Sequence, residues 1–329
     1  MKILLTGQSG INKDLYIEEI KKTLDSHKKT MWYDSVEKRM LESYSGKLDE
    51  KSIANFPRTL FDLLREQVWD NLLHELSSRI TADYISINTH AVVRWHHNLL
   101  PVLDIDKLLR YSPDMVACLI DDALDVKKSL EEEGEQFNFW EIFAWREEEI
   151  WFSRFVASSL SRLLKKDIPF YILPLKQGPP LLSDLLLHPQ VPRIYLSFPI
   201  TGVTENERQV IENFKTSIKK KFIAFDPYCI RDREILIHYF SIEDRIRSSL
   251  PTDITKKINE RGSGWYQQTD ENLPLVLSTI VFPNTELKGY DLLSAMDIID
   301  SQIISRDFLL IDQSDFVVMY IKQEKDRPV

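Results

Sequence analysis

The sequence predicts an α/β protein built from two three-layer, parallel-sheet domains. Three observations carry that expectation. Short apolar runs rich in Ile, Val and Leu alternate with longer stretches of helical periodicity, the pattern of a chain crossing from one buried parallel strand to the next. Several of these runs end in Gly, Thr, His or Asp, polar residues at the strand ends where α/β sheets hold ligands. A proline-rich interval, Pro174 to Pro192, separates one such pattern from a second that begins afresh. The expected boundaries are 1–175 for the first domain, 176–192 for a connector and 193–329 for the second domain.

In chain order, Lys2-Ile-Leu-Leu-Thr6 reads as the first strand, and Gly7-Gln-Ser-Gly-Ile-Asn-Lys13 as a phosphate-sized loop after it. Such loops place glycines where the backbone must turn its N–H groups toward phosphate oxygens, then a Lys, then a hydroxyl residue that holds magnesium. Here Gly7, Gly10 and Lys13 are present. Asn12 stands where a third glycine is usual, with a left-handed backbone expected there, and Asp14 stands where the hydroxyl would be. Leu15, Ile17, Ile20 and Leu24 then recur at helical spacing. Residues 34–55 are polar with few apolar anchors. A helical stripe runs from Leu60 through Leu64, Val68 and Leu72 to about Ile80.

Ala82 to His90, Asp114 to Ile120 and Ile168 to Leu173 read as buried strands, the second ending in Asp121 and Asp122. Between the last two lies a helix, roughly Phe139 to Lys165, that carries Arg146-Glu-Glu-Glu149 and Arg154. Eight residues are a little over two turns, so both guanidinium forks are expected on one side, where they would suit phosphates. The connector holds Leu181, Leu182, Leu185 and Leu186, which predict a short packed helix and a fixed contact. Beyond it, Arg193 to Phe198 and Phe222 to Phe225 are strands around a helix over Glu205–Lys220, and the second strand runs into Asp226-Pro227. Charged helical sequence over 231–250, an irregular segment over 261–272, a helix over 290–304 and a strand over 316–321 complete the pattern.

Composition narrows the functions. Fifty-one acidic against 42 basic residues give a net charge of −9, which argues against broad affinity for nucleic acid or anionic membrane. The two cysteines lie far apart in the sequence, as expected of a chain in a reducing cytoplasm rather than of a disulfide or zinc framework. His90, His96 and His97 share a segment without Cys or helical His spacing, so no metal site is expected there. No signal-like or membrane-spanning run is found, and the protein is expected to be cytoplasmic.

Residues 1–175 resemble the adenylate kinase and wider P-loop nucleoside monophosphate kinase family. The resemblance rests on the loop, on Ser-Ile-Asn-Thr-His-Ala (86–91), on Pro-Asp-Met-Val-Ala-Cys-Leu-Ile (113–120) and on Trp-Arg-Glu-Glu-Glu-Ile to Ser-Arg (145–154). It implies that Gly7, Gly10, Asn12 and Lys13 surround nucleotide phosphates, with ATP and Mg2+ as cofactors. Thr89, His90 and Arg94 would lie toward the acceptor nucleotide, and Arg146 and Arg154 near the transferring phosphoryl group. A carboxylate at Asp14 would repel phosphate without an intervening magnesium ion, which favours binding over turnover.

Residues 193–329 are similar to the nucleoside 2-deoxyribosyltransferase family, with a flavodoxin-like fold implied. The motifs are Ile-Tyr-Leu-Ser-Phe-Pro-Ile-Thr-Gly (194–202), Asp226-Pro227, and Arg-Asp to Leu-Ile-Asp-Gln-Ser-Asp-Phe-Val-Val (306–318), with an insertion around 230–285. This likeness implies nucleoside binding by Tyr195, Ser197, Phe198 and Asp226, and catalytic carboxylates among Asp307, Asp315 and Asp326. Breaking an N-glycosidic bond needs a carboxylate against the developing oxocarbenium ion and a proton donor toward the base. The family's nucleophilic Glu in a small-residue turn after the last strand is not found before Val329, and the chain is expected to continue beyond it. Together the two likenesses imply a nucleotide-handling protein, a homo-oligomer in which a kinase-like domain binds a nucleotide and the second domain binds or cleaves a nucleoside or nucleotide, as a regulated nucleotide-depleting effector of antiviral type would. The alternatives are a non-catalytic nucleotide sensor or assembly module and an active monophosphate kinase.

Overall fold

A computed structural model describes residues 1–43, 57–78, 81–95, 98–178, 180–200, 203–232 and 289–321. The fold is α/β, with parallel sheets and helices. Five strands form the larger sheet: β1 (Lys2–Gly7), β2 (Met31–Ser35), β3 (Tyr84–Asn88), β6 (Met115–Ile120) and β7 (Phe170–Pro174), in the order β2-β3-β1-β6-β7 and all parallel. After β1 the chain passes through α1 (Lys13–Ser26) to β2, and β3 fills the gap between them. From β3 it crosses to β6 on the opposite side of β1. The crevice at the carboxyl end of β1 is therefore the topological switch point, where open α/β sheets bind ligands.

The central strands are buried on both faces, as parallel strands covered by helices must be. Leu4, Ile87 and Val116 pack with Val68, Trp69 and Leu72 of α3 (Arg58–Ser78) and with Leu108 and Tyr111 of α4 (Ile105–Tyr111). Each large apolar side chain so enclosed contributes roughly 1.5–3 kcal/mol. The Tyr111 hydroxyl donates to the carbonyl oxygens of Ile3 and Ile85, at 2.9 and 3.1 Å, so its polar tip is satisfied inside the core.

Several elements exceed the sequence expectation. The polar stretch after Asp34 includes the end of β2 and α2 (Val36–Ser43). A hairpin of β4 (Val92–Trp95) and β5 (Asn98–Pro101), together with α4 and α5 (Ala123–Glu132), fills the region between β3 and α6 (Phe139–Leu164). The expected short packed helix is present as α7 (Pro180–Leu187), which follows a 3-10 turn at Leu175–Gln177 and buries Leu181, Leu182, Leu185 and Leu186. Three further strands, β8 (Arg193–Ser197), β9 (Ile223–Phe225) and β10 (Phe316–Met319), form a second parallel sheet in the order β10-β8-β9, with α8 (Glu205–Lys219) between β8 and β9.

The helix expected to end near Ile304 runs on as α9 (Gly289–Asp312), so Arg306 to Asp312 are helical rather than a loop before β10. The reason is visible in its burial: Ile299, Gln302, Arg306 and Leu310 keep helical spacing on the covered side.

The chain divides into two compact units. One comprises Met1–Asp121, Trp145–Ile230 and Asp307–Val329, and so holds both parallel sheets. Within it the exposed edge of β7 is closed by Gln313, whose side chain accepts from the Ile172 N–H at 2.9 Å and donates to the Ile172 carbonyl at 3.1 Å. One amide thus does the work of an absent strand at that position. The other unit comprises Asp122–Ala144 and Arg231–Arg306. In it Lys127 donates to the Phe137 carbonyl at 2.8 Å, Gln302 to that of Phe143 at 2.7 Å, and Asp232 accepts from the Ala123 N–H at 3.0 Å. The expected helix over 231–250 and the irregular segment over 261–272 lie outside the described residues, apart from Arg231 and Asp232. Among the described residues, no helix is long and apolar enough to cross a membrane.

Candidate functional site

β1 delivers Gly7 to the switch point, and its peptide is fixed from both sides. The Gly7 N–H donates to Glu149 Oε1 at 2.9 Å, while its carbonyl oxygen accepts from Lys13 Nζ at 3.1 Å and from His90 Nδ1 at 2.5 Å. A Cβ at Gly7 would lie 3.0 Å from the Leu119 carbonyl oxygen of β6 at a φ of +156°, so only glycine fits here without displacing the sheet. Gly10 turns the loop at a φ of 83°, again a glycine conformation. Asn12 differs from expectation. Its φ is −77°, not left-handed, and its side chain accepts from the Leu15 N–H at 2.9 Å as the N-cap of α1. Capping, rather than glycine mimicry, explains Asn at that position.

Lys13 is the first residue of α1, and its ammonium group is turned back into the protein. It meets both ring nitrogens of His90 at 3.3 Å. Because the Gly7 carbonyl can only accept, His90 donates through Nδ1–H; the Lys13 ammonium can only donate, and of the two ring nitrogens only Nε2 is left to accept, so the ring is the neutral Nδ1–H tautomer. Burial, with the adjacent Lys13 charge, pushes His90 down to about 4. Burial also lowers the Lys13 ammonium, against the opposing charges of Glu37, Glu149 and Asp14. Thr89 donates to Glu37 Oε1 at 2.8 Å, and the His90 N–H to the same oxygen at 3.2 Å, which anchors the turn after β3 onto α2. Asp14 accepts from the Asn88 amide at 3.2 Å.

Glu149, on α6, is the most constrained group of the site. Oε1 accepts from the N–H groups of Gly7 and Ala91, at 2.9 and 2.7 Å, and Oε2 from that of Val92 at 3.0 Å. The side chain is enclosed, with the residue 1% exposed. Desolvation pushes it up to about 7, against three backbone donors and the Lys13 charge that favour the anion.

The three predicted arginines do not converge. Arg146 is buried and donates to the Asp121 carbonyl at 3.1 Å, at the carboxyl end of β6. Arg154 is on the exposed side of α6 and pairs with Asp312 at 3.1 Å. An eight-residue interval leaves about 80° between two side chains on a helix, enough to carry one into the core and the other into solvent. Arg94, on β4, forms a fork with Glu148 through Nε at 3.0 Å and Nη2 at 2.5 Å.

In the second sheet Asp226 follows β9 and is 1% exposed. It accepts from Lys215 at 2.9 Å, Lys219 at 2.8 Å and the Tyr228 N–H at 3.1 Å. Burial alone would raise its pKa, but the two ammonium groups hold it below the ordinary carboxylate range. Lys215 also lies over the rings of Phe198 and Tyr228, at 5.2 and 5.8 Å. Tyr195 is buried on β8 and Ser197 ends that strand half-buried. Asp307 is half-buried within α9.

Asp315 is placed elsewhere than a shared site would need. It binds Arg193 through Nη2 at 2.6 Å, the backbone N–H at 2.8 Å and Nε at 3.1 Å, at the amino ends of β8 and β10. From the register, Asp315 and Asp226 are separated by about 10 Å along the strands and by two strand spacings across. Two carboxylates so arranged cannot flank one glycosidic bond. Asp326, His96 and His97 lie outside the described residues.

Glu149, Glu37 and Asn88 complete the loop's surroundings and are not among the residues singled out from the sequence. For Glu149 a signal existed. Ile142, Trp145, Glu149, Ser153, Val156 and Leu160 are all buried at helical spacing, so a carboxylate sits on the apolar stripe of α6. Among the described residues, no group of three or more His, Cys, Asp or Glu is arranged to hold a metal ion. No protein-family model matches the chain, and no curated protein does.

Proposed function

We propose that the β1–loop–α1 unit binds the phosphate chain of a nucleotide and that the protein is a nucleotide-responsive module. The observation that carries this reading is the buried Lys13, held against Gly7 at the start of a helix that opens from the sheet's switch point. The residues fit a magnesium ion brought with the nucleotide: Asp14, one position after Lys13, offers a hard carboxylate oxygen, and such ions take one or two carboxylates together with substrate phosphates. When bound, magnesium would screen the phosphates from Asp14 and Glu37. Lys13 contributes charge, the loop contributes backbone N–H groups, and Asn12 holds the first turn of α1 in place. Binding is favoured over phosphoryl transfer because Arg146 and Arg154 do not face one another and Asp14 replaces a hydroxyl. A panel of fluorescent adenine and guanine nucleotides, with and without magnesium, tests the reading. Saturable binding supports it, and none across the panel removes it.

A second reading, base release from a nucleoside or nucleotide, is favoured by one observation: Asp226 is kept ionised at the carboxyl end of β9, beside Phe198 and Ser197 at the end of β8. Chromatography for free base after incubation with nucleosides and nucleotides tests it, and no base from any of them would eliminate cleavage.

A further inference from the structure

We propose that Glu149 is an internal ligand of the phosphate site: its carboxylate occupies the backbone N–H groups of Gly7, Ala91 and Val92 beside Lys13, and an oxyanion of the polyphosphate class binds there by displacing it. The inference rests on the nucleotide reading above and adds to it a built-in competitor. Three N–H donors at 2.7–3.0 Å converge on one carboxylate, drawn from two segments, the end of β1 and the turn into β4. Donors so arranged, with an ammonium group near, are what a phosphoryl group requires.

The groups facing Glu149 set the balance. They are Lys13 on α1 and Cys118 on β6, and around Lys13 in turn lie Asp14 on α1, Glu37 on α2 and His90 after β3. With Glu149 ionised, Lys13 is set against three carboxylates, Glu37, Glu149 and Asp14, and the neutral His90 adds no positive charge. A second anion then cannot enter the same donors without expelling the first. Protonation of Glu149, near pH 7, weakens its hold and removes one negative charge.

The test uses inorganic pyrophosphate, titrated calorimetrically into the full chain and into Glu149→Gln. At pH 8 the variant is expected to bind about tenfold more tightly than the native protein, because a group titrating at about 7 is then some ten parts ionised to one neutral. At pH 6 the two should agree within twofold. Taking the ratio cancels the titration of pyrophosphate itself. Independently of any variant, the side-chain carboxyl resonance of Glu149 in native protein should titrate near 7 without ligand and move to higher pH when pyrophosphate saturates the site, because the bound anion opposes ionisation of the carboxyl group. Equal affinities at every pH, both abolished by Lys13→Ala, would overturn the competitor while leaving the phosphate loop standing. Absence of binding by both native and variant chains would overturn the competitor and the nucleotide reading together.

Discussion

Replacing Glu149 with Gln should turn a nearly flat response of stability to pH into a rising one over a window that the two buried groups define. Glu149 is held at about 7 in the fold against 4.5 for a free side chain. A carboxyl group raised in this way contributes stability that is complete below 4.5 and is lost as pH rises through about 7. At ~1.4 kcal/mol per pH unit the loss is about 3 kcal/mol. His90 works oppositely: held at about 4 against 6.5, it contributes stability present above 6.5 and lost as pH falls through about 4, again about 3 kcal/mol. In native protein the two nearly cancel between pH 4.5 and 6.5. Gln removes only the first, so the variant should gain about 3 kcal/mol relative to native between pH 4.5 and 8. Groups common to both, such as Asp83 and Asp226, drop out of the difference. Urea unfolding followed by circular dichroism across that range measures it, with tryptophan fluorescence as a check that the transition is two-state. Parallel pH profiles for native and variant would refute the assignment of a buried, protonatable Glu149.

Other substitutions separate the local roles. Gly7→Ala should cost on the order of 2 kcal/mol, read as a fall in melting temperature, since both the φ of +156° and the Leu119 carbonyl 3.0 Å away oppose a Cβ. Asn12→Ala should cost about 1 kcal/mol of stability by urea midpoint, whereas Asn12→Gly should cost only a few tenths; a gain with Gly would restore the left-handed reading that the φ of −77° rejects. Asp226→Asn should destabilise by about 3 kcal/mol at neutral pH, because Lys215 and Lys219 lose their common partner, and the difference should shrink as acid protonates the native carboxylate below its depressed pKa. Thermal melts of both proteins at pH 7 and at stepwise lower pH follow the difference.

Much of the framework is legible in the sequence because it is written in local patterns. β1, β3, β6, β7, β8 and β10 are apolar, β-branched runs, and α1, α3, α6 and α8 carry stripes at helical spacing. What escapes has non-local causes. Met31-Trp-Tyr-Asp-Ser35 has no alternation to mark it and becomes β2 by pairing with β3 along its whole length. The strands β4 and β5 are four residues each, too short for a pattern. α4 did have a readable start in Asp104, which caps the N–H groups of Asp106 and Lys107.

The site divides in the same way. Gly7, Gly10, Lys13, Thr89 and His90 gather at one strand end, as spacing and strand polarity suggest. Arg146 and Arg154 part because two turns of helix do not restore the same face. Glu149 was hidden in a run of glutamates whose other members are less enclosed. Only its register with Trp145 and Ser153 set it apart.

The central claim is that Lys13 and the loop before it receive phosphate. Calorimetric titration of ATP with magnesium into the native chain and into Lys13→Ala, at pH 6.5 where Glu149 is largely neutral, tests it most directly. Saturable binding by the native protein, weakened at least a hundredfold in a variant whose circular dichroism is unchanged, is the expected result. Equal affinity in both, or no heat of binding in either, would contradict it.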